Sequence, residues 1–180
     1  MTTLRVNLPT VLTLSRILLI PFFVLSVYQH PILGALIFSV ASLTDFLDGY
    51  LARRSGQITK FGIILDPLAD KFLVISALIV LVDMTRLSAF IAILLIVREF
   101  LVTGLRVVAL SKDIVIPAEM GGKLKTTAQI TSILCLILVG TVFDNLPVDL
   151  YDSGILFVWI ALVLSIISGI QYTVSFWKKI

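Results

Sequence analysis

The sequence has 180 residues, 59% of them hydrophobic and 14% charged, with a mean hydropathy of +1.12. A soluble domain of this size has an apolar share of about 45–50%, so the composition excludes an ordinary water-facing globule and sends the excess to lipid. The net charge of +3 and pI near 9.2 suit anionic headgroups and phosphorylated substrates; nucleic acid is excluded as a partner, because no soluble basic domain is there to bind it.

Residues 3–9 read as a short interfacial segment. Apolar runs of about 20 residues, the length that crosses a bilayer's hydrocarbon core, follow at 10–29, 32–55, 61–83, 88–110, 127–143 and 154–177. They nearly fill the chain, which predicts an all-α, integral membrane bundle of six transmembrane helices forming a single domain over 1–180. A strand barrel would need alternating segments of about 10 residues, and none is visible. The first run is broken by Arg16 and Pro21 and has no small-residue cleavage site after it, so it reads as a retained span. Cys135, the single cysteine, falls in the fifth run as a small hydrophobe.

Threading the runs alternately puts all 14 Lys and Arg except Arg86 on or toward one side. Arg86 falls on the other, with Asp83, Asp144, Asp149 and Asp152. The positive-inside rule then makes both termini and the loops at 53–60 and 111–126 cytoplasmic. His30 falls at the opposite surface, as an interfacial loop residue.

The second and third runs hold the anomaly, ASLTDFLDGYLARRSGQITKFGIILDPLADK at 41–71. Asp45, Asp48, Asp66 and Asp70 stand inside or at the edge of apolar runs, where an isolated carboxylate costs at least a few kcal/mol. At about 100° per residue, Asp45, Asp48, Gly49 and Ala52 share one helical face, and Gly62, Asp66 and Asp70 share a face of the next helix. A turn around Ser55–Thr59 makes the two helices antiparallel neighbours, so the carboxylates converge near one membrane surface. Converging carboxylates repel unless they are protonated or bridged by cations. Hard oxygen donors suit Mg2+ or Mn2+, and four carboxylates can hold two such ions. A proton relay, or salt bridges to Arg53 or Lys71, remains the alternative.

Gly49, Ala52 and Gly62 remove side chains from the acidic faces and open them to a large group; tight helix packing is the other use of such residues. Arg53 can pair with a phosphate. Arg54 and Lys60 suit lipid headgroups, and Pro67 is a candidate kink that turns Asp66 and Asp70 inward.

With these residues the sequence resembles the CDP-alcohol phosphotransferase family, whose signature is D-x2-D-G-x2-A-R-x8-G-x3-D-x3-D. Asp45, Asp48, Gly49, Ala52, Arg53, Gly62, Asp66 and Asp70 match every fixed position and every gap. The resemblance implies six membrane helices, a metal pair held by Asp45, Asp48 and Asp66 with Asp70 nearby, and Asp70 as general base. It also implies that Asp45, Gly49, Ala52, Arg53 and Gly62 form the CDP site, and that the protein is a homodimer of the bacterial inner membrane, working among membrane lipids. Three further blocks, NLPTVLTLSRILLIPFF at 7–23, VREFLVTGLR at 97–106 and GKLKTTAQI at 122–130, resemble the branch that takes CDP-diacylglycerol as donor and glycerol 3-phosphate as acceptor. Asn7, Thr10 and Arg16 match its N-terminal block and are candidates for the nucleotide side, with helix capping as the plainer role for Asn7 or Thr10.

Charge points the same way. Arg98 and Arg106 project from the cytoplasmic half of the fourth run, and Lys123 and Lys125 open the fifth, a cationic set fit for an acceptor that carries a phosphate. The plainer roles are snorkelling to headgroups and, for Arg98, helix packing with Glu99. Rival functions are a cardiolipin synthase with a lipid acceptor, a cation or proton transporter using the buried aspartates, and a structural subunit indifferent to them.

Overall fold

The computed structural model describes residues 8–55, 60–111, 120–145 and 147–178, with side chains at 15, 17–44, 71–109, 122, 124–143 and 147–178. These residues form six α-helices: α1 (Leu8–Gln29), α2 (Pro31–Ser55), α3 (Lys60–Asp83), α4 (Ala89–Ser111), α5 (Met120–Leu138) and α6 (Leu150–Trp177). Among the described residues there is no strand, and the six predicted runs correspond one to one with the helices. Of the predicted interfacial segment at 3–9, residues 3–7 lie outside the described residues, and 8–9 already belong to α1.

Several of the boundaries have a local cause. Pro31 opens α2 at the first helical position, where its missing N–H is no loss. At the end of α3, Thr85 takes a left-handed φ of 58°. The Thr85 N–H bonds Val82 O at 3.0 Å and the Arg86 N–H bonds Leu81 O at 2.9 Å. That pair of bonds is a Schellman stop, with threonine where glycine is usual. α6 begins at Asp149, whose carboxylate accepts from the N–H of Tyr151 at 2.8 Å and of Asp152 at 3.1 Å. α5 is displaced from the predicted run at 127–143: it starts earlier, because its polar first turns are helical though not apolar, and it stops before Gly140, whose φ is +77°.

The chain packs as two compact units, Met1–Ala77 and Leu78–Ile180. In the first, α1 lies against α2 around Phe23, Val27, Ala35 and Phe38, with the two phenylalanine rings 5.7 Å apart. Gly34 makes that approach possible, since a Cβ there would fall on Val27, 2.8 Å from its Cα. In the second, α6 packs on α5 and on α4. Ile133, Leu136, Val158 and Ala161 are buried at this centre, and Gly154 lets α6 close on α5, because a Cβ there would stand 2.7 Å from Leu136 Cγ.

The second unit buries polar residues and exposes large apolar ones. On α6, Trp159, Val163, Ile166, Ile167, Ile170 and Trp177 are all exposed, far more apolar surface than water tolerates without a covering phase. By length and composition α6 is the one helix among the described residues apolar enough to cross a membrane; Ile17–Gln29, Pro31–Thr44 and Leu124–Leu138 are shorter apolar helical stretches. α4 is as long as a span but carries Arg98, Glu99 and Arg106 along it.

Candidate active site

Helical backbone runs unbroken through every signature position, so register fixes where those positions stand. Asp45, Asp48, Gly49, Ala52 and Arg53 occupy the C-terminal half of α2, and Gly62, Asp66 and Asp70 the N-terminal half of α3. The acidic positions are spaced one turn apart on each helix. At about 1.5 Å per residue, positions 48 and 66 lie roughly 10 Å from the facing ends of their helices, and positions 45 and 70 roughly 15 Å. Residues 56–59 join those ends, which therefore stay within roughly 18 Å of each other. Each acidic pair therefore lies at a similar distance from its own helix's linked end. Their side chains, and the expected kink at Pro67, lie outside the described residues, as do Asn7 and the side chains of Thr10, Arg16 and Lys123. Among the residues that are described, no group of three or more His, Cys, Asp or Glu gathers as a metal site.

The acceptor-side residues divide. Arg98 reaches across to α6: its Nε donates to Ser165 O at 2.8 Å and its Nη2 to Ser168 Oγ at 2.5 Å. The remaining guanidinium nitrogen, Nη1, stands 3.5 Å from Glu99 Oε1. The same carboxylate oxygen pairs with Lys125 Nζ. Glu99 and Lys125 are buried, with 7% and 4% of their surface exposed. The structure therefore joins Arg98 and Lys125 through a shared acidic neighbour. Arg106, two turns on along α4, is exposed and acts on Arg98 as a like charge; its guanidinium is 5.9 Å from the centre of the Tyr172 ring on α6, within cation–π range.

One strip of α6 serves both arginines, with Ser165 and Ser168 meeting Arg98 and Tyr172 meeting Arg106. Gly169 completes the approach, since a Cβ there would lie 3.5 Å from Arg98 Nε. On α5, Gln129 follows Lys125 by one turn and is buried, and its Nε2 has no hydrogen-bond partner among the described residues. The sequence reading missed the α6 strip and the Glu99–Lys125 pair. The available signal was polar spacing at i, i+3 and i+7 in the most apolar helix of the chain, the pattern of a helix face turned to a polar neighbour.

Comparison with known proteins is consistent across the whole chain. The sequence model of CDP-alcohol phosphatidyltransferase matches residues 6–167. The CDP-diacylglycerol--glycerol-3-phosphate 3-phosphatidyltransferase of Bacillus subtilis (strain 168) is 40% identical, with 97% of each chain covered. Proteins of the same description from Escherichia coli (strain K12) and Rickettsia bellii (strain RML369-C) are each 39% identical, the first over 94% of both chains and the second over 92% of this chain and 93% of its own. With a family match that takes in the aspartate helices and almost all of α4 to α6, this chain belongs to the CDP-alcohol phosphatidyltransferase family.

Proposed function

We propose that the protein transfers the phosphatidyl group of CDP-diacylglycerol to glycerol 3-phosphate, giving phosphatidylglycerophosphate and CMP. The observation that carries this reading is the intact eight-residue signature at 45–70 in a chain about 40% identical, nearly end to end, to relatives described by that reaction. It acts as a single domain, a bundle of six membrane helices in the bacterial inner membrane with its site and both termini toward the cytoplasm. The exposed apolar surface of α6 supports the membrane setting. The family resemblance favours a homodimer.

The donor set at the acidic positions fits a divalent metal pair: four carboxylates, hard oxygen ligands, at similar distances from the linked ends of two helices that are consecutive in the chain. Asp45, Asp48, Asp66 and Asp70 would hold it. Bound there, Mg2+ or Mn2+ would neutralise the pyrophosphate and ease the departure of CMP. The rest of the work belongs to the protein's side chains. Asp45, Gly49, Ala52, Arg53 and Gly62 receive the CDP group, with Arg53 pairing a phosphate oxygen and the small residues leaving room for it. Asn7, Thr10 and Arg16 line the nucleotide side. Arg98 and Lys125, with Arg106 and Lys123 near the same ends of α4 and α5, bind the phosphate of the acceptor.

Asp70 takes the proton from the primary hydroxyl as that oxygen bonds to the phosphorus carrying diacylglycerol. The anhydride P–O bond breaks in the same displacement, and CMP leaves with its electron pair. A site below the membrane surface suits a donor whose acyl chains stay in lipid while its nucleotide reaches water.

The test is CMP release by the purified protein with CDP-diacylglycerol and a panel of acceptors. Glycerol 3-phosphate should be used at least ~100-fold better, by kcat/KM, than glycerol, serine or phosphatidylglycerol, the loss expected when a buried cationic site has no phosphate to pair with. A preference for phosphatidylglycerol would reassign the chain to cardiolipin synthesis, and absence of CMP release with any acceptor would overturn an enzymatic function.

A further inference from the structure

We propose that Glu99 is a positioning residue of the acceptor site: its carboxylate holds Lys125 beside Arg98, so that α4 and α5 present two cations to one phosphate. The inference rests on the acceptor reading given above. It begins from burial. An ammonium as enclosed as that of Lys125, with 4% of the residue exposed, is costly to bury unless an opposite charge faces it. Glu99 Oε1 supplies that charge and is itself enclosed.

Arg98 is held independently. Two of its nitrogens are fixed on Ser165 O and Ser168 Oγ of α6, which leaves Nη1 facing the same Glu99 oxygen at 3.5 Å. Glu99 therefore stands between a cation from its own helix and a cation from α5. Among the described residues, Arg98 and Lys125 bring two positive charges to the one carboxylate of Glu99, and Arg106 acts on Arg98 as a further positive charge. A purely structural ion pair would need no second cation. The surplus suits an anion that arrives and departs, and the carboxylate keeps the two cations from repelling each other in between.

The experiment measures KM for each substrate separately in full-length Glu99→Gln, Glu99→Asp and Lys125→Met proteins. For Glu99→Gln, the KM for glycerol 3-phosphate should rise about tenfold or more, equivalent to ~1.4 kcal/mol of lost binding, while the KM for CDP-diacylglycerol stays within about twofold. Glu99→Asp, which keeps the charge on a shorter stem, should fall between this variant and the parent. An unchanged acceptor KM in Glu99→Gln, or an equal rise for both substrates, would overturn the proposal, the second because it marks general loosening of the fold. If Lys125→Met leaves the acceptor KM unmoved, the acceptor site itself is misassigned. A rise in Lys125→Met without one in Glu99→Gln defeats the role of Glu99 alone. Should Glu99→Gln fail to fold, Glu99→Asp carries the same comparison, and no acceptor-specific rise there is the overturning result.

Discussion

The two sets of proposed functional residues, one in each compact unit, handle charge in opposite ways. On α2 and α3 the acidic positions of each helix are one turn apart, and the proposed function fills them with a cation from outside the chain. On α4, α5 and α6 the charges are mixed: Glu99 pairs with Lys125 and neighbours Arg98, and Arg98 is further satisfied by Ser165 and Ser168. On that proposal the first arrangement is complete only with its ligand. The second is nearly complete without one. Substitutions in the first region should therefore register mainly in chemistry, and those in the second in stability as well.

The largest expected effect tests that division directly. Asp70→Asn should lower turnover by about 10³-fold, within the usual worth of a general base and here joined by loss of a ligand oxygen, while CDP-diacylglycerol still binds. In metal-free detergent the same variant should melt no lower than the parent, because removing one of several like charges relieves repulsion. Glu99→Gln should behave in the reverse sense and melt lower, since stripping one partner from a buried pair costs about 3–5 kcal/mol. Turnover assays and thermal unfolding of the two proteins check both halves. An Asp70→Asn protein that melts well below the parent would show that the acids, too, are structural, and the contrast between the regions would fail.

The contrast also accounts for what the sequence disclosed. The helical spacing of the aspartate positions was legible because it is local: Asp45 and Asp48, like Asp66 and Asp70, are about a turn apart, and helix register alone sets that spacing. The number and order of the helices were legible for the same reason, from runs of apolar residues. Lys125 and Arg98 were visible as cations but not as members of one cluster, because the partners that join them lie far along the chain: Glu99 is 26 residues from Lys125, and Ser168 is 70 from Arg98. No periodicity within a single helix reports such a pairing. Arg86 is a related case. As the one basic residue on the opposite side in the topological reading, it looked like an exception to the charge rule, yet its Nη1 donates to Leu136 O and Ile137 O, both at 2.9 Å. Its charge is engaged with the carbonyl end of α5, where a cation is favourable.

Arg86 thus offers the next test, intermediate in size. Arg86→Gln should reduce stability by about 2 kcal/mol, the usual worth of charge-assisted hydrogen bonds to carbonyls that would otherwise be left bare, and leave both substrate KM values near those of the parent. Thermal unfolding alongside initial-rate kinetics measures both. A large rise in either KM would mean that the α3–α4 turn communicates with the site, and the separation between structural and chemical charges would need redrawing.

The smallest expected effect is a gain. Thr85 ends α3 in the left-handed region at φ 58°, where a β-branched residue is strained and glycine is not. The two hydrogen bonds of the stop belong to the backbone, from Thr85 N to Val82 O and from Arg86 N to Leu81 O, so glycine can keep both. The threonine hydroxyl donates only to the adjacent Met84 O at 2.7 Å, at an exposed position where water can replace it. Relief of strain and the greater freedom of glycine in the unfolded chain oppose each other. With strain of order 1–3 kcal/mol for such a residue against roughly 1 kcal/mol of added chain entropy, Thr85→Gly should stabilise the protein by about 1 kcal/mol. Because Arg86 follows directly, a better-seated turn should also hold its guanidinium more firmly on α5, and in the Arg86→Gln background that part of the gain should disappear. A Thr85→Gly protein that melts lower in both backgrounds would show that the threonine is held at that φ without strain, and that the turn owes its shape to the side chain.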